Sequence, residues 1–168
     1  MIALLLLLSL AHADVEVVGG SLTYHILDEG TSTSYSNRLS KDGRLINNPL
    51  LGIAVTTHDG VFFDTYMAFA GQNSVAAPMF GGLYEEGLEL HHFQTGVGIG
   101  GYSQESRPFT DRNIHSFRIT NIQGMDLVPV LGIVLNYKIM LYNNAYLKLN
   151  NLISPILTNS TLSVGMEF

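Results

Sequence analysis

Few side chains in this sequence form patterns that could do chemistry. Cysteine is absent, which excludes a thiolate nucleophile, a thiolate metal site and a disulfide framework. His115 and Ser116 are adjacent and lack the His-x-Ser spacing of lipid deacylases, and no Gly-x-Ser-x-Gly nucleophile elbow occurs. His91 and His92 would point to opposite faces of a strand, so we expect turn or interfacial residues there. We therefore expect no metal and no cofactor.

The charged residues indicate a different kind of partner. Glu85, Glu86 and Glu89 could hold a divalent cation together with lipid phosphates, although a solvated rim is the simpler interpretation. The net charge of -6 and the lack of a basic cluster argue against nucleic acid. Six basic residues fall in two long polar segments and could contact phosphate groups, although exposed loops are polar in any case: Arg38, Lys41, Arg44, Arg107, Arg112 and Arg118.

The composition predicts which elements position these side chains. Apolar residues make up 46% of the chain and charged residues 13%, yet no helix-period stripe would bury that apolar surface. The last nine residues alternate, so that Leu162, Val164, Met166 and Phe168 would share one face and Ser163, Gly165 and Glu167 the other. An apolar outer face and a polar inner face are typical of a membrane β-barrel.

The amino terminus predicts export. Residues 2–10 form an apolar run, which Ala11-His12-Ala13 closes with the small-x-small pattern of a signal-peptidase site. We expect a signal peptide at 1–13 and one mature domain at 14–168, although no Lys or Arg precedes the apolar run. No later segment reaches the roughly 18 to 20 apolar residues that a membrane-spanning helix needs.

Segments of strand length, bounded by turn residues, predict an all-β fold. The tight turns at His58-Asp59-Gly60 and Tyr142-Asn143-Asn144 alternate with long polar loops at 28–48 and 105–126. This alternation favours an eight-stranded antiparallel up-and-down transmembrane barrel in the bacterial outer membrane, monomeric, with both termini in the periplasm. The predicted strands are Gly20–Leu27, Pro49–Thr57, Val61–Gly71, Ala77–Glu85, Phe93–Gln104, Leu127–Ile139, Ala145–Ile153 and Ser160–Phe168.

A barrel of this size has no room for a channel, so the filling of its lumen indicates its class. The second and sixth predicted strands are apolar on both faces, which indicates a partly apolar lumen. Alternation points His25, Asp64, Lys148 and Glu167 inward, although a shift of one residue would reverse each assignment. Two interpretations stay open: a packed floor of mutually neutralising charges, or a half-apolar cavity for an acyl chain.

Prolines favour the acyl-chain interpretation. Proline cannot donate to a strand ladder, yet Pro49, Pro78, Pro129 and Pro155 lie in or beside predicted strands. A missing ladder bond would loosen the wall and let a lipid tail pass sideways into the lumen. Three of these prolines could simply begin or end pairing; Pro129 is the hardest to explain in that way.

Short segments along most of the mature chain carry a family resemblance. They are Thr23-Tyr24-His25, Tyr35-Ser36-Asn37-Arg38, Tyr66-Met67-Ala68-Phe69 with Pro78 after it, Leu127-Val128-Pro129-Val130-Leu131, and Pro155. In this order and spacing they resemble the lipid A palmitoyltransferases called PagP, whose counterparts read Thr-Trp-His, Tyr-x-Asn-Arg, Tyr-Ala-Met-Ala-Phe and Leu-Pro-Val-Leu.

The resemblance implies transfer of a palmitoyl chain from a phospholipid to lipid A. It makes His25 the equivalent of a catalytic histidine and implies substrate contacts for Arg38, Tyr66, Pro129 and Pro155. The sequence departs from the family where an Asp-Ser pair should follow Phe69, since it reads Ala-Gly-Gln and only then Asn73-Ser74. Ser74 would be a displaced nucleophile or hydroxyl, Asn73 an oxyanion donor and His25 their base.

Other departures leave two alternatives open. The chain has no Trp, and barely six residues separate Asp14 from the predicted first strand, which leaves no room for the amino-terminal helix of the family. The first alternative is a noncatalytic outer-membrane barrel that modifies or masks the envelope surface, including one encoded by a phage. The second is a soluble secreted barrel that binds a small apolar lipid.

Overall fold

The fold is a closed β-barrel. The computed structural model describes residues 13–26, 45–73, 78–105, 120–122, 125–155 and 157–168. The strands are β1 (Ala13–His25), β2 (Leu45–Asp59), β3 (Phe62–Gln72), β4 (Pro78–Leu90), β5 (Phe93–Glu105), β6 (Thr120–Ile122), β7 (Met125–Tyr142), β8 (Ala145–Ile153) and β9 (Leu157–Met166). In these ranges no helix has both the length and the apolar character to cross a bilayer.

Eight long strands form the wall of the barrel. They pair antiparallel in the order β5, β4, β3, β2, β1, β9, β8, β7, and pairing of β5 with β7 closes the sheet. The three-residue β6 lies outside this circuit and pairs only with the start of β7. The predicted eight-stranded antiparallel up-and-down barrel is thus confirmed.

The two ends of the barrel differ. Short turns at 60–61, 91–92 and 143–144 lie at the same end as residues 13 and 168, and we call this the turn end. His91 and Asn143 adopt positive φ there (60° and 48°), as does Gly60, because two-residue turns between antiparallel strands require left-handed backbone. The other connections leave from the opposite end, the loop end. His91 and His92 are turn residues, as predicted.

Side chains alternate in and out along each strand. At the carboxy terminus Val164 and Phe168 are exposed on the outer face, whereas Ser163 is buried inside. This confirms the predicted alternation of the last nine residues. The lumen holds mostly polar side chains and glycines, and the outer face is mostly apolar.

Several expectations about individual segments were wrong. β2 begins at Leu45 rather than Pro49, so residues 45–48 belong to the strand and not to the loop. β1 begins at Ala13 rather than Gly20, because the alternating residues Asp14, Glu16 and Val18 continue the strand inward. β4 continues to Leu90, and this extension draws Glu85 and Glu89 into the lumen instead of a solvated rim. Asp64 faces outward, because the buried neighbours Phe63 and Thr65 fix the register of β3.

The wall is uneven between β7 and β8. β7 has 18 residues and β8 only nine, and the last pair towards the loop end is Ile133 with Ile153. Beyond it, β6 pairs with Met125–Leu127. Between these two pairings no strand in the described ranges pairs with residues 128–132 on that side. We call this gap, bordered by residues 128–132 and 154–155, the β7–β8 notch.

Candidate functional site

A network of charges closes the lumen at the turn end. Lys138 Nζ lies 2.8 Å from Asp14 Oδ2, 3.1 Å from Glu167 Oε1 and 3.5 Å from Glu89 Oε1. His58 lies 3.3 Å from Asp14 and 3.6 Å from Glu89. Each of these residues comes from a different strand or from the terminus, so the network ties the floor of the barrel together. The predicted inward positions of Lys148 and Glu167 hold: Glu167 belongs to this floor, and Lys148 lies in the polar layer above it.

A second polar layer lies above the floor. Lys148 and Glu16 form an ion pair in which each side chain is only 1% exposed. Ser163 donates to Glu16 (2.5 Å), and Asn136 donates to Glu85 (3.2 Å) and Gln94 (3.3 Å). Buried charges persist only where partners and hydrogen bonds compensate their lost hydration. These two layers match the predicted floor of mutually neutralising charges.

An apolar layer follows the polar ones. Phe63, Val134 and Leu152 form its buried cluster, with Leu83 and Val130 packed against it. Val130 lies on the β7 border of the notch, and Leu152 is the penultimate residue of β8. Between Val130 and Val134 the inward position is Gly132, which presents no side chain to the lumen. The notch therefore opens directly beside the apolar part of the interior.

His25 lies at the loop end, on the inward register of β1. It pairs with Leu157 of β9, and Leu157 in turn closes a tight turn with Ser154 through a backbone hydrogen bond of 2.9 Å. Ser154 and Pro155 border the notch. His25 is thus two strands from the notch on the same rim, and its predicted inward position is confirmed.

The other proposed catalytic residues are only partly described. Asn73 follows β3 at the loop end, is buried, and donates its amide to the side-chain oxygen of Gln104. It lies on the far side of β2 from His25 in the strand order. Ser74 and Arg38 lie outside the described residues, so the proposed constellation of His25, Asn73 and Ser74 stays a prediction.

The remaining predicted contacts fall on the outer wall and its rim. Pro129 points outward from β7, and Pro155 lies in the turn after β8, so these two prolines lie on opposite borders of the notch. Tyr66 also points outward and is 58% exposed, with its ring centroid 5.2 Å from that of Tyr84. No group of three His, Asp or Glu side chains in the described ranges is arranged to hold a metal.

Sequence reasoning missed two parts of this site. The polar layers depend on Glu16, whose strand was predicted to begin only at Gly20, although the alternation of Asp14, Glu16 and Val18 was a visible signal. The notch depends on the unequal lengths of β7 and β8. Pro129 and Pro155 indicated weak backbone pairing between β7 and β8, but the missing pairs at residues 128–132 become visible only in the assembled sheet.

Comparisons with known proteins give a weak structural likeness only. No family model and no curated protein matches the chain. The crystal structure of Ail, the attachment invasion locus protein of Yersinia pestis, in complex with the heparin analogue sucrose octasulfate has a TM-score of 0.48 and 10% identity, over 94% of this chain and 99% of that one. A second Ail structure has a TM-score of 0.33 and 11% identity over the same shares. The closed circuit of strand pairs, completed by β5 and β7, defines the fold of this chain.

Proposed function

We propose that this chain is an outer-membrane barrel that takes an acyl chain of a phospholipid through the β7–β8 notch and transfers it to lipid A. The observation that carries the proposal is the junction of the notch with the apolar layer around Val130 and Leu152. A packed barrel without ligand would gain stability from full pairing along this edge. An acyl chain needs a lateral opening and an apolar lining behind it. The notch supports the first requirement, and the packed cluster of Phe63, Val134 and Leu152 supports the second.

The outer face supports the membrane location. Aliphatic side chains such as Leu51, Ile53 and Leu131 are 59–66% exposed in the middle of the wall. Aromatic side chains border the turn end, as expected for an interfacial girdle: Phe62, Phe93, Tyr142 and Phe168. A soluble carrier would expose this surface to water at a large hydrophobic cost. With the short turns in the periplasm, the two long loops and their six basic residues face outward, towards lipid A phosphates.

His25 is the proposed general base. It would accept the proton of a lipid A hydroxyl as that oxygen attacks the ester carbonyl of the phospholipid acyl chain. The carbonyl–oxygen bond to glycerol then breaks, and the proton passes to the leaving alkoxide, which departs as a lysophospholipid. Asn73 would stabilise the oxyanion, and Ser74 would supply a hydroxyl to the site. Arg38 and Tyr66 are proposed to contact the lipid.

Lipid A mass spectra test the reaction. In an enterobacterial strain that lacks its own palmitoyltransferase, the wild-type chain should add one palmitate to lipid A. His25→Ala should reduce this signal by about 100-fold or more, the usual effect of losing a general base. Ser74→Ala tests the hydroxyl in the same assay. His91→Ala, in a turn at the other end, is the control and should keep the signal.

A disulfide across the notch tests the path of the acyl chain. The register of β7 and β8 would, if continued, bring Leu131 opposite Pro155, so Leu131→Cys with Pro155→Cys should close the gap. Tyr137→Cys with Leu149→Cys joins the same two strands where they already pair and is the matched control. Oxidation should abolish transfer only in the first variant, and reduction should restore it. Equal transfer activity of both oxidised variants would contradict entry of the acyl chain through the notch.

The second candidate is a noncatalytic envelope barrel. It is favoured by the departure at Asn73-Ser74, where the family has Asp-Ser, and by the hydrogen bond that already occupies the amide of Asn73. Unchanged lipid A from a correctly folded wild-type barrel would support this candidate. A soluble lipid-binding barrel would instead fractionate away from membranes and lack heat-modifiable migration on a gel.

A further inference from the structure

The outer wall carries an apolar groove that is distinct from the notch. It measures about 560 Å³ and crosses β2, β3, β4 and β5. Its floor is shallow where Ala68 of β3 pairs with Gly82 of β4, and its walls are bulky apolar and aromatic side chains. Residues that line the groove include Ile53, Val55, Tyr66, Tyr84 and Ile99. In the membrane location proposed above, this groove faces lipid.

Two carboxylates adjoin the groove on its turn-end side. Asp64 and Glu86 are directly paired across β3 and β4, and both point outward. Tyr84, which lines the groove, has its hydroxyl 2.5 Å from Asp64 Oδ1 and 3.3 Å from Glu86 Oε2. Like charges directly opposite each other destabilise a strand pair, and a carboxylate on the lipid face of a barrel adds a further cost.

No positive charge of the described protein neutralises this pair. Lys138 and Lys148, the two basic residues in the described ranges outside the histidines, both point into the lumen and are bonded to other carboxylates. Phe62, one of the aromatic side chains that border the turn end, pairs with Leu88, and Asp64 and Glu86 form a pair two residues further along the same strands. The carboxylates therefore lie just inside the proposed interfacial girdle, within reach of a lipid headgroup. A cation supplied by the membrane would complete the site.

We propose that this groove binds one phospholipid whose headgroup carries a primary ammonium, phosphatidylethanolamine. The acyl chain lies over Ala68 and Gly82 between the rings and the isoleucines, and the ammonium donates to Asp64 and Glu86. A primary ammonium offers three N–H donors, which suit two adjacent carboxylates. The anionic phosphatidylglycerol lacks this cation. The inference rests on the proposed membrane location but not on acyl transfer. The carboxylates lie on β3 and β4, whereas the β5 wall of the groove, Ile99, is the cross-strand neighbour of Leu131 at the notch.

Native mass spectrometry of the purified barrel tests the proposal. The barrel is released from detergent after equilibration with an equimolar mixture of phosphatidylethanolamine and phosphatidylglycerol, and the retained lipids are counted. The wild type should retain phosphatidylethanolamine at least tenfold over phosphatidylglycerol. Asp64→Asn and Glu86→Gln should each reduce this preference several-fold. Asp59→Asn, which removes one charge beside the turn at the same end, should leave it unchanged.

A second pair of variants tests the groove itself. Ala68→Leu fills the floor and should reduce the retention of phosphatidylethanolamine, whereas Ala70→Leu adds the same side chain two residues further along the outer face and should not. Both variants are checked for heat-modifiable migration, so that a folding failure is recognised. Equal retention of the two lipids by the folded wild type, or an equal effect of the paired variants, would overturn the proposal. Lipid A spectra, which test the acyl transfer, are independent of these results.

Discussion

At the scale of single residues, the buried ion pair of Lys148 and Glu16 governs the middle of the lumen. Both side chains are almost fully buried, and Ser163 completes the hydrogen bonding of Glu16. Removing one partner of such a pair leaves an uncompensated charge in a poorly hydrated interior. The resulting loss of folding stability is larger than the net stabilisation by the intact ion pair, because the remaining charge keeps its desolvation cost.

We therefore expect Lys148→Met to lower the free energy of unfolding by about 3 to 5 kcal/mol. Glu16→Gln combined with Lys148→Met should lose clearly less than the sum of the two single variants, because the double variant leaves no lone charge. Urea unfolding of the refolded barrel in micelles, followed by heat-modifiable migration, measures these differences. Strict additivity of the two single effects would show that the residues do not act as a pair.

The sequence alone identified some of these residues. Alternation correctly pointed His25, Lys148 and Glu167 inward, because polar and apolar residues alternate in the short segment around each of them. Asp64 was assigned to the wrong face, since Phe62 and Phe63 are adjacent and either ring could have been buried. Only the position of Phe63 in the apolar cluster decides that register. The partners of each charge lie on distant strands and could not be read from spacing.

At the scale of the strands, β8 and β9 fit together around a glycine. The buried ring of Tyr146 lies over Gly165, its cross-strand neighbour, and a Cβ on that glycine would lie 2.5 Å from the tyrosine hydroxyl. The ring cannot move outward through the wall. It is further held from inside by Lys138, whose Nζ lies 4.5 Å from the ring centroid.

Gly165→Ala should therefore destabilise the barrel by about 1 to 3 kcal/mol through overpacking. Gly19→Ala is the matched control, because a Cβ at Gly19 meets nothing within 4 Å. It should be neutral or slightly stabilising, since alanine restricts the unfolded chain more than glycine does. Urea midpoints of the two variants provide the comparison, and equal midpoints would contradict this account of the Tyr146 contact.

Strand boundaries were harder to predict than strand existence. All eight wall strands were anticipated, because each apolar run was bounded by Gly, Asn, Asp or Pro. The ends of β1, β2, β4 and β7 were missed. In β1 and β4 the outer residues carry charges and resemble loop sequence until a partner strand supplies hydrogen bonds. The notch follows from the register between β7 and β8, which the correctly predicted bounds of β8 did not reveal, so only the prolines hinted at it.

At the scale of the whole molecule, the two ends are chemically unlike. All six basic residues of the sequence other than Lys138 and Lys148 fall at 38–44 and 107–118, in the connections of the loop end. The turn end instead carries Asp14, Asp59, Glu89 and Glu167. Asp28, Glu29 and Asp42 balance the three basic residues of the first connection, so the excess of basic residues lies at 107–118. In the proposed orientation these arginines face the lipopolysaccharide and the acidic end faces the periplasm.

Cysteine labelling of intact cells tests this orientation. Because the chain has no native Cys, Ser36→Cys in the β1–β2 connection and Asn144→Cys in the β7–β8 turn each provide a single reporter. A membrane-impermeant maleimide should label Ser36→Cys in whole cells and Asn144→Cys only after the outer membrane is permeabilised. The reverse labelling pattern would show that the barrel has the opposite orientation in the membrane.

Lys138 also has a consequence for the order of assembly. Its partners include Asp14, at the start of β1, and Glu167, which follows β9. The strands β1 and β9 that bring them together are separated by most of the sequence, so their pairing is a slow, nonlocal step. Lys138 can reach its full set of partners only when the seam has closed. The same ammonium group thus makes stability of the floor conditional on a completed chain, and a barrel truncated before residue 167 would close with its cation only partly satisfied.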